Sequence, residues 1–381
     1  MNNVNKQLLG GLSAAAFLRR HWQKKPLLVR NAIPHFDGIQ DFGALVEFAS
    51  RQDCESRLVV RHGTRWTVEH GPFHRKRFSR LPARNWTLLV QGLESMLPAA
   101  RKLLSNFDFI PYSRLDDVMV SYAAPGGGVG PHFDSYDVFL LQGPGQRRWR
   151  VSGQRDMALV EGAPLKLLKR FLPEGECLVS AGDMLYLPPA CAHEGIAVDC
   201  CFTYSIGFRA PSHQELTSQF LVHLEDKAQA TGRYSDPDLL PQAHPARLGS
   251  SMVAKVERLL ANTRWQQRDV AEFLGIYLTE PKARVVFKPP HQRLSEAAFS
   301  MAAKKRGVEL ALPSSMLYSR ATHFMNGESY TTVKAVPVLR RLADTRRLAP
   351  LQVPIDGAAM DLLYRWYHAG YIVLSQPGRD D

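Results

Sequence analysis

The spacing of apolar positions changes three times along the chain, and each change marks a different kind of element. Ser13 stands before Ala14, Ala15, Ala16, Phe17 and Leu18, which predicts a short capped helix that Gln23-Lys24-Lys25-Pro26 ends before the strand-like Leu27-Leu28-Val29. From Asp116 to Ala210 the pattern becomes a series of short alternating or continuous apolar runs broken by Gly and Pro turns. These runs are Asp117–Tyr122, His132–Gln142, Arg147–Val151, Cys177–Val179, Met184–Leu187 and Phe202–Phe208. Strands at such spacing predict a small antiparallel barrel or sandwich. After Arg209-Ala210-Pro211 the alternation stops, and Leu216, Phe220, Leu221 and Leu224 recur at helical spacing over 214–230. A turn-rich link with Pro237, Pro241 and Pro245 follows, then an amphipathic helix over 251–260. The remainder mixes short helices (268–274) with a β-like run (283–287) and ends in a helix over 358–368 leading into an apolar strand over 370–374. That last order, helix then strand and hairpin, predicts a winged-helix-like module. The boundaries therefore fall at 1–210, 211–262 and 263–381.

Composition narrows the class. The chain has 381 residues with 45% hydrophobic and 22% charged, enough apolar material for more than one core and no signature of long disorder. Lys and Arg total 48 against 36 Asp and Glu, a net charge of +12 that is spread over both halves rather than gathered in a tail. Such a surplus suits an acidic or nucleic-acid-rich neighbourhood but does not by itself predict nucleic-acid contact. His70, His74, Arg75, Lys76 and Arg77 form a basic patch that reads either as an RNA contact or as a solvated loop. The five cysteines (Cys54, Cys177, Cys191, Cys200, Cys201) include no C-x-x-C pair and no disulfide framework, which points to a reducing cytoplasm, with the Cys200-Cys201 thiols buried and inert. The apolar stretch from Leu8 to Leu18 is followed, not preceded, by its basic cluster, the wrong order for export. No run of about 18 apolar residues is present, so no membrane span is expected.

The chemistry concentrates in two segments. Gly126-Gly127-Gly128-Val129-Gly130-Pro131-His132-Phe133-Asp134 carries a His-x-Asp pair, and Gly182–His193 carries a second histidine, His193. Residues two apart on a strand share a face, so His132 and Asp134 can meet one ion, with His193 closing the set from another strand. Two imidazoles and a carboxylate with open positions are the donor set of non-haem Fe(II) oxygenases. The glycine run lacks the GK[ST] ending of a phosphate loop, and its glycines serve a tight entry into the ligand segment instead. In Arg147-Arg148-Trp149-Arg150-Val151 the odd positions share one face, and an inward Arg147 needs an anion such as a dicarboxylate.

These segments, together with Phe17–Arg30, the run from Ser121 through Asp137 and Tyr204–Pro211, resemble the JmjC branch of the 2-oxoglutarate oxygenases, and more narrowly the YcfD-type bacterial ribosomal oxygenases. The resemblance spans about 1–210 and implies an α+β chain. A double-stranded β-helix (the cupin/JmjC barrel) is followed by a helical dimerisation region and a C-terminal winged-helix-like domain. It further implies Fe(II) on His132, Asp134 and His193, 2-oxoglutarate on Arg147, and O2 as co-substrate. The reaction implied couples decarboxylation of 2-oxoglutarate to hydroxylation of an arginine side chain of large-subunit ribosomal protein L-sixteen, by a homodimer. Ser121 and Thr203 are weaker candidates for the cosubstrate carboxylates, and the family often places an amide near the Thr203 position. Asp117, Met119 and Ser121 alternate on one strand face, and Tyr136 shares parity with the ligand pair. We therefore expect Asp117 to pair with the substrate cation, with Tyr136 and Met119 packing on it. Two other classes stay open at this point. One is a histidyl hydroxylase of another ribosomal protein; the other is a ligand-sensing cupin, either a regulator gripping DNA through the C-terminal module or a metal binder without oxygenase chemistry.

Overall fold

The computed structural model describes residues 6–227, 232–241, 243–261, 263–332, 336–350 and 357–376. Its first half is built on two antiparallel sheets. The strands are β1 (Leu27–Val29), β2 (Ser56–His62), β3 (Arg65–His70), β4 (Trp86–Val90), β5 (Leu115–Ala123), β6 (Val138–Gln142), β7 (Arg147–Ser152), β8 (Gly175–Val179), β9 (Met184–Leu187), β10 (Ala192–Ala197) and β11 (Cys201–Phe208). The larger sheet runs β1-β9-β6-β11-β5-β4-β2-β3 and the smaller β10-β7-β8.

The two faces of the larger sheet are chemically different because its strands alternate. Val138 and Leu140 of β6 and Leu185 and Leu187 of β9 pack against Trp149 of β7 and Val179 of β8, which makes the core of an antiparallel sandwich. The opposite face, with Leu88, Val118, Val120, Phe139, Leu141 and Ile206, packs under helices α1 (Ala14–Arg20), α2 (Phe42–Ala49) and α3 (Pro98–Ser105). Ser13 caps α1 by accepting from the Ala16 amide, as its sequence position predicts. The chain leaving α1 is fastened to the sandwich: the Gln23 side-chain amide donates to Asp137 Oδ2 at 3.0 Å, the Gln23 backbone amide donates to the Tyr186 hydroxyl, and that hydroxyl donates to Asp137 Oδ1 at 2.6 Å.

The second half holds α4 (His213–Lys227), α5 (Ser250–Ala261), α6 (Gln267–Thr279), α7 (Glu296–Arg306), α8 (Val336–Thr345) and α9 (Gly357–Ala369). Two small sheets join them: β16 (Arg347–Leu348), β12 (Val308–Leu310) and β17 (Ile372–Leu374) form one, and β13 (Met316–Ser319), β14 (Thr322–Met325) and β15 (Glu328–Thr331) the other. Its core gathers Phe299, Leu339, Leu363 and Trp366. The two halves meet through polar contacts. Arg101 donates to Leu312 O and the Tyr112 hydroxyl to Asp344 O; beside Arg101, Arg346 donates within the second half to Ser314 O and Ala311 O, and burial pushes its guanidinium down to about 9.

Three expectations are corrected here. The run 283–287 forms no strand; Arg284 ties it to Cys54 O, and Val286 is exposed. The predicted strand over His132–Gln142 begins only at Val138. Cys201 is buried as expected but Cys200 is exposed. The end of the 214–230 helix, beyond Lys227, lies outside the described residues.

Candidate active site

His132 and Asp134 do not share a strand. His132 forms an isolated bridge with His193, its amide donating to His193 O at 2.9 Å while the His193 amide donates to His132 O at 2.8 Å. The chain then turns through Asp134, whose carbonyl accepts from the Ala190 amide. The glycines make that approach possible: Gly126 donates to Ala197 O, and a Cβ on Gly128 would stand 2.4 Å from Gly195 O. The run therefore lies against β10 at backbone contact, the tight entry its composition suggests.

The three side chains converge. One ligand atom from each of His132, Asp134 and His193 lies within 4.8 Å of the others, and the two imidazole centroids are 4.2 Å apart. His132 Nδ1 donates to Gly130 O at 2.9 Å and His193 Nδ1 to Cys191 O at 2.8 Å. A carbonyl can only accept, so each Nδ1 carries the proton and each Nε2 lone pair is left for a metal. Burial and the neighbouring His132 push His193 down to about 3, which keeps it neutral. Burial raises the Asp134 carboxyl, opposed by His132 and by a hydrogen bond from Tyr136.

Arg147, Trp149 and Val151 of β7 lie opposite Ala197, Gly195 and His193 of β10, so all six share the face turned into the sandwich. Arg147 is 4% exposed, whereas Arg148 is exposed and paired with Glu176. Its Nη1 makes only a long 3.5 Å contact with Gly195 O, and Nε and Nη2 have no hydrogen-bond partner among the described residues. The Cys201 thiol lies beside this guanidinium, and burial raises it. A buried cation with orphaned donors fits an anion.

One row of paired residues crosses the larger sheet on the same face: Arg57, Leu89, Ser121, Thr203 and Gln142. Ser121 and Thr203 are buried there, and Thr203 Oγ1 donates to Gln142 Oε1 at 3.3 Å. Sequence reasoning missed Gln142 as a candidate; it supplies the amide expected near Thr203, visible only once the β6–β11 register is known. Along β5, Asp117 and the half-buried Met119 share that face with Ser121. Asp117 is buried rather than facing solvent, and burial lifts its carboxyl to about 7 against the pull of Lys282. Tyr136 is exposed, hydrogen-bonds Asp134 and lies within the field of Asp117. In the basic patch, residues 75–80 form a short 3-10 helix in which Arg75 pairs with Glu47 and Arg77 with Glu69.

An antiparallel sandwich that brings two imidazoles, one carboxylate and a buried arginine to one interior face has the architecture and donor set of a non-haem iron oxygenase. Known proteins agree in sequence and in shape. Residues 102–216 match the JmjC domain family and residues 262–372 the ROXA-like winged helix. The chain is 35% identical over 277 residues to the ribosomal protein uL16 3-hydroxylase of Escherichia coli (strain K12), covering 72% of this chain and 73% of that protein. It is 41% identical over 244 residues to the "Probable ribosomal oxygenase" of Haemophilus influenzae, covering 63% of this chain and 58% of that protein. The solved structure of E. coli YcfD superposes with a TM-score of 0.85 at 31% identity over 96% of this chain and 98% of that one. YcfD in complex with cobalt and 2-oxoglutarate superposes with a TM-score of 0.81 at 30% identity over 96% of this chain and 99% of that one. The chain belongs to the JmjC-domain ribosomal oxygenases.

Proposed function

We propose that the protein is an Fe(II)- and 2-oxoglutarate-dependent hydroxylase of an arginine side chain in ribosomal protein uL16. The observation that carries the chemistry is the meeting of a proton-defined His132–Asp134–His193 set with an orphaned, buried Arg147 inside one sandwich. The substrate reading rests on the likeness to the uL16 3-hydroxylase and on the acidic and aromatic lining by Asp117 and Tyr136. His132 and His193 would hold the metal through Nε2 and Asp134 through a carboxylate oxygen; Arg147 would grip the distal carboxylate of 2-oxoglutarate, with Ser121, Thr203 and Gln142 lining that end. Bound iron, 2-oxoglutarate and O2 together supply the oxidation that hydroxylates a C–H bond while 2-oxoglutarate becomes succinate and CO2.

The protein's own groups set where that oxidation falls. Asp117 offers its carboxylate to the substrate guanidinium, Tyr136 and Met119 flank the alkyl stem, and the Tyr136 hydroxyl fixes Asp134 from the substrate side. Incubation with Fe(II), ascorbate and 2-oxoglutarate, with and without a uL16 peptide, tests this: a mass gain of one oxygen on arginine supports it. Modification of histidine instead, or salt-sensitive DNA binding without turnover, gives the assignment to the other classes.

The three-part division at 210 and 262 belongs to the same reading, as do the double-stranded β-helix form of the sandwich and a homodimer through 211–262. α4 spends Phe220 on Phe273 of α6 but leaves Leu221 and Val222 exposed, and α5 buries none of its described residues while exposing Leu259 and Leu260. Sedimentation velocity checks the dimer: Leu259→Asp with Leu260→Asp should give a monomer.

A further inference from the structure

The acidic end of the substrate pocket is not made by the JmjC segment alone. Lys282 lies in the chain between α6 and α7, within the winged-helix match, and its Nζ stands 2.8 Å from Asp116 Oδ1 and 3.9 Å from Asp117 Oδ2. The stretch that carries it is fastened on both sides to the sandwich, by Arg209 donating to Leu278 O at 2.6 Å and by Arg284 donating to Cys54 O at 3.1 Å. Among the described residues, Asp116 also meets Arg209 at 3.5 Å, and Asp117 feels Asp116, the buried Glu94 and the Gly92 amide. Three carboxylates, two of them buried, thus crowd one corner, and Lys282 is the cation placed directly between Asp116 and Asp117.

We infer that Lys282 is a positioning residue for the substrate cation, contributed to the active site by the C-terminal module. The inference rests on the arginine reading of the Asp117 pocket. Bonded to Asp116 and only in long contact with Asp117, the ammonium offsets one of two adjacent carboxylates and holds both side chains apart. The ammonium draws the Asp117 carboxyl down against burial, Asp116 and Glu94, and its long contact leaves the second Asp117 oxygen for an incoming guanidinium. Without the ammonium, Asp116 keeps Arg209 but Asp117 loses the cation that opposes Asp116 and Glu94, and its carboxyl turns away or stays protonated, so the pocket loses its grip on the substrate. Tyr136, which senses both Asp116 and Asp117, ties this corner to Asp134.

Steady-state kinetics of the full-length, iron-loaded enzyme on a uL16 peptide tests the assignment with Lys282→Met, Lys282→Arg and Asp117→Asn. Lys282→Met should raise KM for the peptide about tenfold, the order of one charge-assisted contact, with kcat within about twofold of wild type, and Lys282→Arg should restore most of the loss. An unchanged or lowered KM in Lys282→Met overturns the assignment. So does a joint fall of kcat and thermal stability that Lys282→Arg does not rescue. Asp117→Asn separates the two levels: if it leaves KM unchanged, the arginine reading itself fails, and if it raises KM while Lys282→Met does not, only the role of Lys282 is lost.

Discussion

Arg147→Gln tests the cosubstrate site with opposite signs in the free and liganded protein. The free protein holds a guanidinium that is 4% exposed, with two nitrogens unpartnered and the third in a contact of 3.5 Å. A carboxylate that takes both orphaned donors forms two charge-assisted hydrogen bonds of about 1.5–3 kcal/mol each. Losing about 3–6 kcal/mol weakens 2-oxoglutarate binding by roughly 100- to 10,000-fold, at about 1.4 kcal/mol per decade. The unliganded variant loses a buried charge that rests on the Trp149 ring but has no carboxylate partner among the described residues, so its melting temperature should stay level or rise by a few degrees. Thermal melts and calorimetric titrations with 2-oxoglutarate, using Co(II) in place of Fe(II) to prevent turnover, read both quantities. Wild type gains stability with ligand concentration by mass action, and Arg147→Gln should show almost no gain. Arg147→Lys, which keeps the charge but loses the two-pronged fork, should fall about tenfold short of wild type. Binding by Arg147→Gln within about threefold of wild type, or an unliganded melt lowered by more than about 5 °C, would refute the reasoning, because the guanidinium would then be structural.

Other measurements test separate parts of the site. His132→Ala should weaken Co(II) binding by more than about 100-fold, read by titration, since it removes a ligand rather than a supporting group. Gly128→Ala should cost about 1–3 kcal/mol in a denaturant melt and weaken metal binding together, because its Cβ would meet Gly195 O at 2.4 Å on the strand that carries His193. Asp117 gives a pH dependence. Its folded carboxyl is lifted from 3.8 to about 7, so the folded state binds its proton more tightly than the unfolded chain does, and the resulting penalty grows as pH rises from 3.8 to 7 and is complete above 7. Asp117→Asn should therefore raise the melting temperature more at pH 8 than at pH 4.5; an equal effect at both would remove the buried carboxylate as its cause.

The metal triad was legible because each ligand travels with its own local signal: glycines before His132, and a Pro-Pro turn before His193. Strand alternation splits β7 into two faces, and the resemblance to the oxygenases rather than the alternation picks Arg147 as the inward one. His132 is held by a two-sided bridge to His193 and Asp134 by the turn that follows, not by strand parity. Gln142 escaped notice because its role depends on a register with Thr203, 61 residues away, that no local pattern encodes. The β-branched Val285-Val286 pair suggests a strand, but the run is spent on a tether instead. Lys282 belongs to the same group: one lysine in a Pro-flanked turn carries no signal until the fold sets it against β5.

The junction of Gln23, Tyr186 and Asp137 means that the stretch after α1 is wedged behind the metal-binding turn, three positions past Asp134. An enzyme shortened to its catalytic sheets would therefore keep every metal ligand and lose the brace that aims one of them. Trimming the leading helix, though it touches no reactant, should leave a protein that still takes up metal but oxidises its target poorly.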